Sequence, residues 1–156
     1  MFRATAPNEE WLMAAILSVA NAAANAANSM IEKDHALTEI TLVERIATAL
    51  EKNPAKPTFD RRVPVVGKSG RAYEFDFALR RSGVISTLID SVSPHHTSIA
   101  AKYVAFDDTE RRPTLEKFAV YERELEKENK VLMQNVADLI PIEQVESDFG
   151  AAFLNL

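Results

Sequence analysis

Glu74 and Asp76 stand two residues apart in the run Tyr73-Glu74-Phe75-Asp76-Phe77-Ala78-Leu79. Strand side chains alternate with a period of two, so both carboxylates are expected on one face and Tyr73, Phe75, Phe77 and Leu79 on the other. Two carboxylates so placed hold Mg²⁺ when a third oxygen ligand converges, because Mg²⁺ takes octahedral oxygen and keeps several waters. A half-buried strand with a wet side has the same pattern. His95 and His96 follow Pro94 at a strand-to-helix turn. Adjacent histidines rarely converge on one ion, so capping or loop exposure is the plainer reading. Asp107-Asp108-Thr109-Glu110 reads as a solvated helix end with Arg111 and Arg112 as counter-charges. Gly67-Lys68-Ser69-Gly70 contains part of a phosphate loop, but the full motif is absent and a strand follows it, which excludes nucleotide hydrolysis of that type. No Gly-x-Ser-x-Gly and no Ser/His/Asp set is present. Trp11 and the other aromatics fall at core spacing rather than on a stacking platform.

The elements that must position these residues follow from turn signals and periodicity. A helix is expected from Pro7-Asn8-Glu9-Glu10 to about Glu32, with Asn21, Asn25 and Asn28 forming a polar stripe. A second helix over 38–52 buries Ile40, Val43, Ile46, Ala47 and Leu50. Strands at 58–66, 72–81 and 84–93 are separated by Gly67-Lys68-Ser69-Gly70 and Ser82-Gly83, which makes an antiparallel meander. A helix over 95–109, a short strand at 117–121, a charged helix over 124–139 and an edge strand at 140–145 complete the order. Phe149, Phe153 and Leu154 are expected to pack as a tail. The fold class is α+β: a mixed sheet with an N-terminal helical segment. The chain reads as a single domain over 1–156, with an N-terminal helix over 1–36, a core over 37–145 and a tail over 146–156.

Composition sets the outer limits. The chain has 156 residues, no cysteine and a net charge of −5, so disulfides and thiolate zinc sites are excluded and a cytoplasmic setting is expected. Basic residues concentrate between Lys52 and Arg81, and this segment could hold phosphate locally on an otherwise acidic chain. The apolar run Trp11–Ala20 is preceded by Glu9 and Glu10, and asparagines follow it, so neither a signal peptide nor a membrane span is expected.

A helix, a three-strand meander, a helix and a further strand resemble the core of the PD-(D/E)xK, or restriction-endonuclease-like, fold. In that family the second strand carries a metal-binding Asp, the third carries Glu-x-Lys, and a Glu on the first helix assists. The resemblance implies that Asp76 is the metal-binding acid and that Glu44 or Glu39 is the accessory acid. The third strand, Thr87-Leu88-Ile89-Asp90-Ser91-Val92, lacks Glu-x-Lys. Asp90 serves as the second acid only if the register allows it, and Lys102 on the next helix is the candidate migrated lysine. From about Leu37 to Val145 the chain also resembles the bacterial and phage family called domain of unknown function 1829. The matching segments are Gly67-Lys68-Ser69-Gly70, Glu74-Phe75-Asp76-Phe77 and Ala105-Phe106-Asp107-Asp108-Thr109-Glu110-Arg111, with the short strand that follows.

The leading expectation is a degenerate relative of these nucleases that acts by binding, without a resident cofactor, in a phage or mobile-element context. Two alternatives stand beside it: a Mg²⁺-dependent nuclease with a rearranged site, and a protein-interaction module that inhibits a host system. Candidate catalytic residues are Asp76, Glu74, Asp90, Glu44 and Lys102, with Asp76 and Asp90 as metal ligands. Candidate nucleic-acid contacts are Arg61, Arg62, Lys68, Arg71, Arg80 and Arg81. Expected partners are a protein or weakly held nucleic acid, no membrane, and a second copy of the chain as an open option. No robust cleavage at physiological Mg²⁺ is expected from the sequence, because Glu-x-Lys is missing.

Overall fold

The computed structural model describes residues 1–3, 5, 9–53, 57–110 and 112–147. The chain divides into two compact units, Met1–Thr38 and Glu39–Leu156. Helix α1 (Glu9–Lys52) is one element where the sequence predicts two. The physical reason lies in residues 32–38, which contain neither glycine nor proline to end a helix. In the first unit Trp11 is 59% exposed, so its expected place in a core does not hold.

The second unit is built on a five-stranded mixed sheet in the order β1-β2-β3-β4-β5. Strands β1 (Phe59–Val66), β2 (Ala72–Arg81) and β3 (Val84–Ser91) form the predicted antiparallel meander. Ser82 and Gly83 both have positive φ, 52° and 82°, which suits a two-residue hairpin turn whose twist matches the strands. The Gly67–Gly70 turn is tied down from elsewhere. The Lys68 amide donates to the Asp108 carbonyl at 2.8 Å, and the Ser69 amide donates to Asp108 Oδ1 at 2.9 Å. A Cβ at Gly67 would collide with the same carboxylate. Asp108, expected at a solvated helix end, is thus the anchor of this turn.

Helix α2 (His96–Asp108) leads to β4 (Glu116–Tyr121), and α3 (Lys127–Gln134) leads to β5 (Asp138–Pro141). β4 pairs parallel to β3, and β5 parallel to β4. The expected helix over 124–139 is shorter because the amides of Val136 and Ala137 turn back onto the Met133 carbonyl and end α3. Residues 138–141 then add to the open sheet edge, where Pro141 is tolerated at the strand end. Residues 142–145, expected as part of an edge strand over 140–145, belong instead to helix α4 (Ile142–Ser147). The expected packing of Phe149, Phe153 and Leu154 lies outside the described residues.

The core sorts into two clusters. Leu42, Ile46 and Leu50 of α1 and Ile142 and Val145 of α4 pack with Phe77, Leu79, Ile89, Phe118 and Val120. Ile99 and Phe106 of α2 and Met133 of α3 pack with Val63, Phe75, Ala78, Leu88 and Ala119. Neighbouring residues of β3 and β4 thus fall alternately into the two clusters, as a sheet covered on both faces requires. β2 breaks that rule. Phe77 and Leu79 join the α1 cluster, whereas Tyr73 and Phe75 join the α2 cluster. The expected single face of Tyr73, Phe75, Phe77 and Leu79 is therefore corrected. The change of face falls at Asp76. Opposite it, between the pairs Arg61–Phe77 and Val63–Phe75, Arg62 has a φ of 54°. A left-handed residue rotates the chain out of strict alternation, and it is costly for a side chain other than glycine.

Candidate functional site

The β2–β3 ladder pairs Phe77 with Ile89 and goes no further toward Asp76 and Asp90, the next residues in register. There the strands are joined through side chains instead. The Asp76 amide donates to Asp90 Oδ1 at 3.4 Å, while the Ser91 amide and hydroxyl both donate to Asp76 Oδ2 at 2.7 Å. Each aspartate thus meets an amide of the opposite strand where the backbone ladder has stopped. The register condition on Asp90 is met: it lies directly across from Asp76.

Ile99, Lys102 and Phe106 occupy one face of α2 at i, i+3 and i+7. Ile99 and Phe106 are buried in the core, and this carries Lys102 inward, where its Nζ donates to Asp90 Oδ1 at 2.7 Å. Glu39 approaches from α1: it accepts a hydrogen bond from the Ser98 hydroxyl at 2.9 Å, and its charge acts on Lys102. The structure therefore brings together Asp76, Asp90, Lys102 and Glu39, one each from β2, β3, α2 and α1. Asp90 is 1% exposed, and its Oδ2 has no hydrogen-bond partner; nor does the buried Ser93 Oγ nearby in sequence.

The electrostatics separate the two acids. Burial pushes Asp90 well above the ordinary carboxyl value; the Lys102 charge opposes this and the Asp76 carboxylate reinforces it. Burial also raises Asp76, but hydrogen bonding with Asp90, the Lys102 charge and the two bonds from Ser91 outweigh it, and Asp76 lies below its ordinary value. Burial lowers Lys102, yet the charges of Asp90 and Asp76, the bond to Asp90 and Glu39 leave it raised and firmly cationic. Pairs of acids driven apart in this way mark sites of chemistry more often than sites of packing.

The raised Asp90 has a stability consequence. A carboxyl whose folded value exceeds its unfolded value of about 3.9 favours folding below that pH, and the benefit is lost as pH rises through the folded value. Asp90→Asn removes this titration. Its stability relative to the wild type should improve as pH rises above the ordinary carboxyl value, measured by urea midpoints at a series of pH values. A difference that stays constant with pH would contradict the assignment.

The remaining candidates stand apart. Glu74 is exposed and pairs with Arg62 at 3.1 Å, because the change of face at Asp76 separates the two acids that strict alternation would align. Glu44 is exposed and faces Arg61 at 3.4 Å, so of the two α1 acids it is Glu39 that reaches the cluster. Arg80 pairs with Asp60 at 2.5 Å. The Arg61 and Arg71 guanidiniums lie over the rings of Phe77 and Tyr73, at 5.8 and 5.5 Å. Lys68 and Arg81 are exposed. The six basic residues are thus spread along the β1–β2 hairpin, three of them in ion pairs. Sequence reasoning missed Ser91, Ser93 and Ser98. The signal that pointed there was Asp90 itself, a charge inside a strand whose neighbours Leu88, Ile89 and Val92 are apolar.

Asp76 and Asp90 are the residues here that could hold a hard divalent cation, although Lys102 already occupies Asp90 Oδ1. Asp90 Oδ2 is buried without a partner, and Asp76 stands across from it as an ionised carboxylate. Among the described residues no three of His, Asp and Glu form a ready-made metal cage. A two-carboxylate site completed by waters and substrate oxygens is the usual arrangement for Mg²⁺.

Fold and site together define an α+β protein with a mixed sheet, an N-terminal helical segment and an acidic pair at the point where two central strands part. No protein-family model matches the chain, and no curated protein matches it. Among solved structures it is similar to a protein of unknown function, AF1548, with a TM-score of 0.49 and 16% identity over 74% of this chain and 71% of that one. It is also similar to protein VC1899 from Vibrio cholerae, with a TM-score of 0.43 and 12% identity over 69% of this chain and 30% of that one. Among the described residues no helix is long and apolar enough to cross a membrane.

Proposed function

We propose that this protein is a divalent-metal-dependent phosphodiesterase acting on nucleic acid, with Asp76 and Asp90 as the metal-holding acids and Lys102 as the cation beside the scissile phosphate. The observation that carries the reading is the convergence of Asp76, Asp90 and Lys102, with Lys102 Nζ 2.7 Å from Asp90. The restriction-endonuclease-like resemblance calls for an acid on the second strand, an acid on the third and a lysine beside it. Lys102 of α2, beside Asp90, supports the reading as a stand-in for the lysine that the third strand lacks. The strained Arg62 opposite Asp76 supports the same reading, because backbone strain concentrates at functional sites.

The roles follow from the contacts. Ser91 fixes Asp76 through two hydrogen bonds and leaves it ionised. Lys102 neutralises Asp90 in the absence of substrate and offers its remaining N–H donors to a phosphate oxygen. Glu39 raises the proton affinity of Lys102 and so keeps it charged. Asp76 and Asp90 would hold the Mg²⁺ or Mn²⁺, which when bound would supply Lewis-acid polarisation and a more acidic water. The partners of this reading are nucleic acid and a second copy of the chain, in a cytoplasmic setting.

A non-catalytic nucleic-acid binder, drawn for a phage or mobile-element context, is the second reading. It is favoured by the closed Asp90–Lys102 pair and by the raised proton affinity of Asp90, both of which disfavour metal entry. Plasmid and single-stranded oligonucleotide incubated with Mg²⁺ or Mn²⁺ separate the two. Nicking or cleavage that requires metal and stops with chelator is the expected result. Salt-sensitive binding with intact substrate at every metal concentration establishes the second reading instead.

A further inference from the structure

Arg62 is held in a backbone conformation that does not suit its side chain. Its φ of 54° lies in the left-handed region, which glycine occupies freely and a residue with a Cβ occupies only at a cost. Ser82 shares the positive φ, but the tight turn between β2 and β3 requires it there. Arg62 lies within β1, where no turn does. What its side chain returns in stability is small. Its ion pair with Glu74 joins side chains that are 82 and 58% exposed, and pairs so exposed contribute little. Glycine would take the same backbone without strain, so folding does not account for an arginine at this position.

Its place in the sheet does. Arg62 stands across the β1–β2 ladder from Asp76, between the pairs Arg61–Phe77 and Val63–Phe75. Opposed strand residues have Cα atoms about 4.5–5.5 Å apart, so Arg62 is rooted beside the acid. Asp90 and Ser91 meet Asp76 from β3, with Lys102 bonded to Asp90, whereas Arg62 belongs to β1 on the other side of β2. Asp76 therefore has one cation on either flank. Glu74 accepts the Nε–H of Arg62 at 3.1 Å, which leaves both terminal amino groups without a partner among the described residues. Those are the donors with which a guanidinium grips a phosphate. The arginines nearby are committed: Arg61 lies over Phe77 and faces Glu44, and Arg80 donates to Asp60 and to the Gly83 carbonyl.

We infer that Arg62 binds a phosphate of the nucleic-acid strand next to the one that is cleaved, and so fixes the strand across Asp76. The inference rests on the phosphodiesterase reading. Arg62→Ala and Arg62→Gly should each weaken binding of a fluorescent single-stranded oligonucleotide roughly tenfold, measured in chelator so that the strand stays intact. The slope of log affinity against log salt should fall by about one. In cleavage assays KM should rise with kcat unchanged, because a flanking contact is made equally in the ground and transition states. Arg112→Ala, which removes an exposed charge paired with Glu110, should leave affinity at the wild-type level. Urea midpoints supply the readout that separates function from structure. Arg62→Gly should be no less stable than the wild type and more stable than Arg62→Ala, because glycine relieves the left-handed backbone and alanine does not. Affinity lost while stability is kept is a result that a structural arginine does not give. Unchanged oligonucleotide affinity in both Arg62 variants overturns the inference, and metal-dependent cleavage in the same preparations leaves the phosphodiesterase reading standing. Lost stability in Arg62→Gly also overturns it and assigns the arginine to the fold. A wild-type protein that neither binds nor cleaves the strand overturns the reading and the inference together.

Discussion

Asp76→Asn should lower metal-dependent cleavage by at least about 100-fold, the loss typical of deleting one preorganised electrostatic group from an active site. The asparagine keeps the shape and one acceptor oxygen for Ser91, but it removes the ionised oxygen that a cation requires. Losing charge on that hydrogen bond costs roughly 1–3 kcal/mol. That is a fraction of the about 5–15 kcal/mol available to a domain, so the variant should remain folded. Turnover of a fluorescent oligonucleotide, set beside urea unfolding of the same preparation, separates the two effects. Lys102→Met should lose activity in parallel, because the cation beside Asp90 disappears while most of the side-chain volume stays. Cleavage that survives both substitutions would move the chemistry away from the β2–β3 junction.

Phe75→Ala should destabilise the protein by about 3–5 kcal/mol, the range for removing a buried aromatic ring. Phe75 has no exposed surface, and its ring stands 5.2 Å from that of Phe106, which ties β2 to α2. The cavity would open beneath the helix that carries Lys102, so activity should fall with stability. Val104→Ala on the exposed side of α2 should change stability by less than about 0.5 kcal/mol. Urea denaturation midpoints measure both. Equal losses from the two substitutions would contradict the assignment of Phe75 to the inner face.

Local chemistry made the meander legible. Ser82-Gly83 and Gly67–Gly70 permit the turns, and apolar residues repeated every second position specify the strands between them. The helix over 96–108 was legible for a similar reason, since Pro94 and the spacing of Ile99, Tyr103 and Phe106 bound it. Asp76 and Asp90 were identifiable as charges set in apolar strands. These are properties of single segments, and they depend on dihedral preference and side-chain period alone.

Tertiary structure decided the rest. Alternation placed Glu74 beside Asp76, but the left-handed Arg62 opposite Asp76 accompanies a change of face and sends Glu74 to the surface. Glu44 was the candidate acid on α1, with Glu39 as its alternative, but it is Glu39 that accepts from Ser98 and acts by charge on Lys102, while Glu44 pairs with Arg61. Residues 138–141 became a strand because an open sheet edge offered unpaired amides and carbonyls, which no local propensity encodes. The sequence by itself determined the α+β class, the meander and which acids are unusual. Which of those acids meet, and that Lys102 joins them from a neighbouring helix, depended on register and packing between segments distant in the chain. Those contacts form only when the two faces of the sheet are covered.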